Sequence, residues 1–236
     1  MEQARRWIAG AESIVVLTGA GVSAESGIPT FRGPGGLWRE RRPEQLASPG
    51  GFAKDPRLVW EWYDWRRTVI KDVQPNPAHF ALAELERKAR RFTLVTQNVD
   101  GLHDRAGSLN ILKLHGDIWM VRCLNCGREQ RDKRAPMPDL PPRCECGGML
   151  RPGVVWFGEA LPADVWLAAR TATREANVVI VAGTSGVVNP AASLIPLARA
   201  SGARVIECNM EETPFSAELD RSFRGRAGEI LPELIR

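Results

Sequence analysis

Two patterns of hydrophobic and polar positions divide this chain into predicted strands and predicted helices. Four short runs are largely apolar and rich in β-branched residues, which is typical of parallel strands buried on both faces. Apolar residues at helical spacing occupy most of the intervals between these runs. The predicted strands cover residues 14–17, 92–96, 178–181 and 204–209.

Helices alternate with these strands along most of the chain. Such alternation predicts an α/β fold, in which a parallel sheet is covered by helices on both faces. The predicted helices cover 2–11, 56–73, 78–90, 162–176 and 190–200, with a last helix near 229–232 and short extended pieces at 111–115 and 154–157. Small or polar residues end every predicted strand, and in open α/β sheets the ligand crevice lies at these carboxyl ends.

Length, composition and charge indicate the size of the domain and the kinds of partner to expect. The chain has 236 residues, 44% of them hydrophobic, which suits one large domain or one domain carrying an insertion. The net charge is +4, but acidic residues lie near most basic ones, so a solvated surface is expected and nucleic-acid binding is not supported. No apolar run is long enough for a membrane span, and the N-terminus lacks a secretory apolar segment. We expect a cytoplasmic protein without membrane contact, and we favour a monomer.

The turn after the first strand matches a nucleotide-binding pattern. Gly19, Gly21 and Ala24 fill G-x-G-x-x-G/A, in which glycines let the backbone approach a phosphate at the start of a helix. An ordinary strand-to-helix turn has the same residues, so this motif alone leaves both interpretations open. Convergence of four polar strand ends favours the nucleotide. A dehydrogenase would reach a second strand with an acidic ribose-binding residue about 20 residues on, but no apolar strand appears here before Phe92, which disfavours hydride transfer.

Four of the five cysteines form a second chemical pattern. Cys123 and Cys126 make a C-x-x-C pair, and Cys144 and Cys146 make a tighter C-x-C pair. Four thiolates close a tetrahedral zinc site, and a closed site is structural because no position remains for water. Free thiols without a metal are the alternative. The segment interrupts the α/β pattern, so we expect a small inserted module, whereas Cys208 lies on a predicted strand and is expected to be buried.

Several longer motifs together resemble the sirtuin family of NAD-dependent protein-lysine deacylases. They are residues 19–32, 96–103, 114–116 and 183–185, with the four clustered cysteines, and they occur in the family's order. The resemblance implies one catalytic domain over 1–236, with a Rossmann-like parallel sheet and a small inserted zinc-binding and helical module. Its large part would cover 1–30, 78–118 and 152–236. Its small part would cover the helical stretch 31–77 and the zinc module 119–151.

The resemblance also implies where NAD, the co-substrate, would bind. The dinucleotide loop would contribute Gly19, Ala20, Gly21, Ser23, Phe31 and Arg32. The nicotinamide and its ribose would be held by Gln97, Asn98 and Asp100. The adenosine side would be formed by Gly183, Thr184, Ser185, Asn209, Met210, Glu211 and Ala227. One structural zinc ion would be held by Cys123, Cys126, Cys144 and Cys146.

Catalysis and substrate binding are implied for a further set of residues. His115 would be the base that takes a proton from a ribose hydroxyl, since imidazole has a suitable pKa, and Asn98 and Asp100 would assist it. His79 and His103 are expected to be structural. The partner would be an acylated lysine in an extended protein segment, bound by strand addition. Two flanking segments would supply Val155, Phe157, Gly158, Glu159, Val187 and Val188.

One helix carries a pair that bears on the acyl group. Tyr63 and Arg66 are three residues apart and share a helix face, and a guanidinium binds a carboxylate bidentately. Considered alone, these residues favour a packed Tyr63 and a surface charge at Arg66. The pair, with 35–38, is similar to the branch that removes malonyl and succinyl groups, which implies desuccinylation and demalonylation beside deacetylation. Protein mono-ADP-ribosyltransfer and a non-enzymatic NAD sensor are the alternative functions.

Overall fold

The structure is a computed structural model that describes residues 1–30 and 42–236. The strands are β1 Ser13–Thr18, β2 Arg91–Thr96, β3 Ile111–Lys113, β4 Gly116–Cys123, β5 Glu129–Arg131, β6 Leu150–Val154, β7 Val178–Ala182, β8 Arg204–Asn209 and β9 Arg221–Arg224. The helices are α1 Glu2–Ala9, α2 Ala20–Ala24, α3 Pro43–Leu46, α4 Pro49–Lys54, α5 Pro56–Lys71, α6 Pro77–Lys88, α7 Leu102–Ala106, α8 Ala163–Glu175, α9 Leu194–Ala200 and α10 Ala227–Ile235. Two short 3₁₀ turns lie at Ala191–Ser193 and Ser216–Glu218.

Six of the described strands form a parallel sheet in the order β3-β2-β1-β7-β8-β9. Strands β2 and β3 extend the sheet on one side of β1, whereas β7, β8 and β9, which come later in the chain, extend it on the other side. The order therefore reverses between β1 and β7. The crevice outside the carboxyl ends of these two strands is the expected ligand site of such a sheet.

Alternate residues of β1 point into two different apolar clusters, one on each face of the sheet. Ile14 and Val16 pack with residues of α1, α6 and α10, whereas Val15 and Leu17 pack with residues of α8 and α9. Burial on both faces explains why these strands are largely apolar. The predicted α/β fold with helices on both faces is confirmed.

A third apolar cluster joins a small antiparallel sheet, in the order β5-β4-β6, to helix α5. The cluster is rich in indole rings, with Trp60, Trp62, Trp119 and Trp156 buried in it and Trp65 packed against it. Trp7 and Trp166 instead pack against the clusters of the parallel sheet. The aromatic core of the small sheet is thus separate from the aliphatic core of the large one.

The structure corrects the expected extended run at 154–157. Strand β6 ends at Val154, and the chain then turns, because the Glu159 carboxylate accepts the Trp156 backbone N–H at 2.8 Å. The predicted two-part division stays a proposal. Two of its four borders, 118/119 and 151/152, fall inside strands of the small sheet, since β4 spans Gly116–Cys123 and β6 spans Leu150–Val154. None of the helices in the described ranges combines the length and apolarity that crossing a bilayer requires.

Candidate active site and metal centre

The loops after β1 and β7 touch through glycines at the switch point of the sheet. A Cβ built on Gly19 or on Gly21 would lie 2.8 Å from the Gly183 carbonyl oxygen, and the Gly21 N–H donates to that oxygen at 2.8 Å. Gly183 has φ +58, a left-handed conformation that favours glycine. The bare glycines of the predicted nucleotide loop therefore let the two loops pack together, and this contact forms the floor of the crevice.

A buried polar cluster lies beside this floor. The Asn98 side-chain amide donates to the Gly19 carbonyl at 3.0 Å and to the Ser23 hydroxyl at 3.2 Å. Ser23 in turn donates to the Asp100 carboxylate at 2.8 Å. Burial raises the pKa of Asp100, while hydrogen bonds from Leu102 and Ser23 and the nearby Arg66 charge act against that rise. The cluster offers an amide and a carboxylate together, a set that suits a ligand bearing its own amide.

The His115 ring lies half-buried next to the end of β2. Its Nδ1 lies 3.1 Å from the Gln97 backbone carbonyl, and because a carbonyl only accepts, Nδ1 carries the hydrogen. Nε2 is then the unprotonated nitrogen. Burial lowers the pKa of His115, with the Gln97 carbonyl acting against that shift, so the ring is neutral at pH 7 and able to take a proton at Nε2. The Gln97 side chain reaches across to the Thr184 hydroxyl at 3.0 Å.

The predicted adenosine side lies at the ends of β7 and β8. The Asn209 amide donates to the Thr184 carbonyl at 2.9 Å, which ties the two loops together. Ser185, Met210 and Glu211 are exposed there, and Ala227 is buried at the start of α10. Phe31 and Arg32, predicted for the same cofactor, lie outside the described residues, as do 35–38.

A residue that the sequence did not reveal holds the 210–216 loop. The buried Glu207 carboxylate accepts the Thr213 and Ser216 hydroxyls, each at 2.6 Å, and pairs with Arg224 at 2.7 Å. These bonds lower the pKa of Glu207 in spite of its burial. The sequence does place Glu207 inside a largely apolar strand, and this position indicates a carboxylate with bonded partners, because a buried charge needs them.

The first of the two predicted peptide-binding segments begins next to His115 in the structure. The Val155 N–H donates to the His115 backbone carbonyl at 2.9 Å, which ties the start of this segment to the main chain of His115. Phe157, Gly158 and Val187 are exposed, and Val188 is half-buried. The Glu159 carboxylate is paired with Arg151 at 2.5 and 2.9 Å, so its charge is already matched within the protein.

Tyr63 and Arg66 are both buried in helix α5, with 2% and 5% of their surface exposed. The interpretation of Arg66 as a surface charge is therefore wrong, because α5 is covered on this side by the aromatic cluster and the nucleotide loop. The Arg66 guanidinium lies 4.8 Å from the Trp62 ring centre and 5.6 Å from that of Tyr63. Arg66 also lines a small cavity together with Ser23, Asn98 and Asp100.

The four clustered cysteines bring their sulfurs within 4.8 Å of one another. The Cys123–Cys146 and Cys126–Cys144 sulfur distances are 3.5 and 3.8 Å. Zinc–sulfur bonds of about 2.3 Å place the sulfurs of a tetrahedral site roughly 3.8 Å apart, so the tight C-x-C pair fits such a site. Cys208 is buried in β8 away from them, and burial raises its pKa to about 12.

Comparisons with known proteins identify the family of this chain. The model of the Sir2 family matches residues 19–190. An NAD-dependent protein deacylase of Aquifex aeolicus is 56% identical over 94% of this chain and 93% of its own length. NAD-dependent protein deacylase 1 of Archaeoglobus fulgidus is 53% identical over 100% of this chain and 96% of its own length.

Solved structures give the same result for the fold. A crystal structure of a Sir2 homologue in complex with NAD has a TM-score of 0.95 and 53% identity, covering 100% of this chain and 93% of that one. A Sir2 complex with a deacetylated p53 peptide and 3′-O-acetyl ADP-ribose has a TM-score of 0.92 and 31% identity, covering 100% and 97%. The chain therefore belongs to the Sir2 family of NAD-dependent protein deacylases, and its four cysteines are positioned to bind one zinc ion.

Proposed function

We propose that this deacylase removes succinyl and malonyl groups from lysine side chains in addition to acetyl groups. The observation that carries the proposal is the burial of Tyr63 and Arg66 side by side on α5, with Arg66 lining a cavity that Asn98 and Asp100 also line. A guanidinium binds a carboxylate bidentately and a phenol hydroxyl donates one further hydrogen bond, so this pair suits the distal carboxylate of an acidic acyl group. An acetyl group carries no such charge.

The roles of the site residues follow from their geometry and from the family. NAD, when bound, supplies the ribose carbon that accepts the acyl oxygen and the nicotinamide that leaves. We infer that Asn98 and Asp100 bind and orient the nicotinamide end, while Thr184 and Asn209 face the adenosine end. His115 would take a proton at Nε2, the nitrogen not used by the Gln97 carbonyl.

The substrate would be an acylated lysine in an extended segment lying between 155–159 and 187–188. Exposed Phe157 and Val187 would be covered by it, and backbone hydrogen bonds would hold it without reading much of its sequence. The p53 peptide in a structural relative supports this class of partner. The cytoplasmic location and the monomeric state stay predictions.

The first experiment measures nicotinamide release from NAD with matched acetyl-lysine and succinyl-lysine peptides. We expect release with both peptides and its loss in His115→Tyr, because that variant has no base at this position. If neither peptide causes release, protein ADP-ribosyltransfer or an NAD sensor becomes the better hypothesis. Label transferred from NAD onto protein would then separate those two.

The acyl proposal is tested by Arg66→Met. Hydrogen bonds to a charged partner contribute about 1.5–3 kcal/mol, so we expect the ratio of succinyl to acetyl kcat/KM to fall roughly 10- to 100-fold. Arg57→Met is the matched control, since Arg57 lies exposed on the same helix and pairs with Glu61. An equal loss with both peptides would show that Arg66 is structural, and the acidic-acyl proposal would be wrong.

A further inference from the structure

The Trp156 indole is hydrogen-bonded to the hydroxyl of Tyr63. Its Nε1 lies 3.0 Å from the Tyr63 oxygen, and both side chains are buried. An indole N–H only donates, so the phenol oxygen must accept in this bond. The single hydrogen of the Tyr63 hydroxyl is therefore directed away from Trp156.

The groups around the Tyr63 hydroxyl determine where its hydrogen points. Arg66 lies one helical turn along α5, with its guanidinium carbon 5.6 Å from the Tyr63 ring centre, so the two side chains are close enough for one carboxylate to bind both. Burial raises the pKa of Tyr63, with Arg66 and Trp156 acting against the rise, so the hydroxyl keeps its proton at neutral pH. The hydrogen bond that the Tyr63 oxygen accepts from Trp156 also polarises the hydroxyl and makes it a better donor.

Trp156 is held in place from several sides. The Arg151 guanidinium carbon lies 3.5 Å from the indole ring centre, and Arg151 is fixed by its bidentate pair with Glu159. Glu159 also accepts the Trp156 backbone N–H at 2.8 Å, and the Phe52 ring packs at 5.1 Å. With backbone and ring both fixed, the indole N–H has a constant direction.

We propose that Trp156 determines acyl specificity as a positioning residue, by fixing the Tyr63 hydroxyl so that its hydrogen faces the distal carboxylate of a succinyl or malonyl group. This inference rests on the acidic-acyl activity proposed above. Trp156 acts only through Tyr63, and it links the acyl-recognition helix to the segment that holds the peptide backbone.

A double-mutant cycle tests the inference. Trp156→Phe, Tyr63→Phe and the double variant are assayed with succinyl and acetyl peptides at saturating NAD. We expect Trp156→Phe to lower the succinyl-to-acetyl ratio of kcat/KM about three- to tenfold, through KM for the succinyl peptide. The double variant should fall no further than Tyr63→Phe, because the two residues act as one unit.

Trp7→Phe is the matched control, since Trp7 is also an indole beside arginines, Arg204 and Arg221, but near the other end of the parallel sheet. It should leave the ratio unchanged. If Trp156→Phe is poorly folded, benzothienylalanine at position 156 replaces it, because this analogue keeps the two-ring shape and lacks the N–H. The same loss of ratio is expected.

Two results would overturn the inference alone. In the first, Tyr63→Phe lowers the succinyl-to-acetyl ratio of kcat/KM but Trp156→Phe leaves it unchanged. In the second, adding Trp156→Phe to Tyr63→Phe lowers the ratio again, by the same factor as Trp156→Phe alone. Absence of desuccinylation in the wild type, or an unchanged ratio in both Arg66→Met and Tyr63→Phe, would instead overturn the acidic-acyl activity and this inference with it.

Discussion

Two buried imidazoles lie beside the polar cluster of Ser23, Asn98 and Asp100, and neither has a role in the proposed reaction. The His79 and His103 rings pack with centres 4.8 Å apart. The Asn76 N–H donates to His79 Nδ1 at 3.2 Å, and His103 Nε2 lies 3.1 Å from the Thr18 hydroxyl. Burial lowers the pKa of His79 to about 4 and that of His103 well below 6.5. Both rings are therefore neutral in the folded protein at pH 7.

The pair predicts a loss of stability in mild acid. The unfolded chain binds protons at these histidines near pH 6.5, whereas the folded chain does not until about pH 4 at His79. The contribution of His79 is thus complete above pH 6.5. It falls by about 1.4 kcal/mol per pH unit as the pH drops toward 4. Urea unfolding of the wild type between pH 7 and 4.5 measures this slope.

His79→Gln isolates the effect from the carboxylates that also titrate in acid. We expect its unfolding free energy to depend less steeply on pH over the same range than that of the wild type. Phe80→Gln, at the neighbouring exposed position of α6, should keep the wild-type slope. Parallel pH curves for wild type and His79→Gln would contradict the prediction.

At this scale the sequence predicted which residues meet at the crevice but not how their side chains pair. His115, Asn98 and Asp100 follow from strand ends and from the family motifs. The Trp156–Tyr63 bond joins residues 93 positions apart, and no periodicity encodes such a contact. Arg66 was misjudged for a related reason. An arginine on a helix is exposed by default, and only the tertiary packing of α5 shows that both Arg66 and Arg67 are buried.

Among the elements, α5 and the zinc module form one structural unit. The buried Arg67 donates to the Ile118 carbonyl at 2.8 Å, the Asp64 carboxylate accepts the Met137 N–H at 2.8 Å, and Lys71 donates to the Ala135 carbonyl at 2.9 Å. Two of these bonds hold the stretch between the two cysteine pairs. The helix that carries Tyr63 and Arg66 is therefore positioned by the metal-binding segment.

Loss of zinc should consequently unfold this unit and not merely slow the reaction. We expect Cys126→Ser to lose its zinc and hydrogen-exchange protection in β4, β6 and α5, while β1 and β7 stay protected. Leu124→Ser, an exposed position in the same turn, should keep both zinc and protection. A zinc-free variant with a protected small sheet and only a lower rate would argue against the coupling. Zinc content and exchange are measured on the same samples.

The elements that the sequence missed share a physical cause. β1, β2, β7 and β8 are buried on both faces, so their apolar runs identify them. β5 and β9 are short and largely polar, and β4 includes Asp117 and Arg122, so these strands exist through pairing with their neighbours and not through their own pattern. Helices α3 and α4 span four and six residues, too short for a periodic signal.

For the whole molecule, the sequence predicted the fold class and the edge of the sheet that carries the site. Strand order was not predictable, because parallel strands with similar apolar runs can be arranged in several ways. The order places β1 beside β7, which is why Gly19 and Gly21 meet Gly183. From the spacing of the glycines we predicted only that the backbone could approach a phosphate. The contact between the two loops depends on the strand order, which the spacing of residues in one loop does not reveal.

The separation of the indole rings between the two cores has an optical consequence. Because Trp60, Trp62, Trp65, Trp119 and Trp156 lie in or against the core of the small sheet, emission from the described tryptophans comes mainly from that core. Far-ultraviolet dichroism instead averages over the backbone of both sheets. The two signals together distinguish a rearrangement around α5 and the small sheet from a change in the parallel sheet, without any attached label.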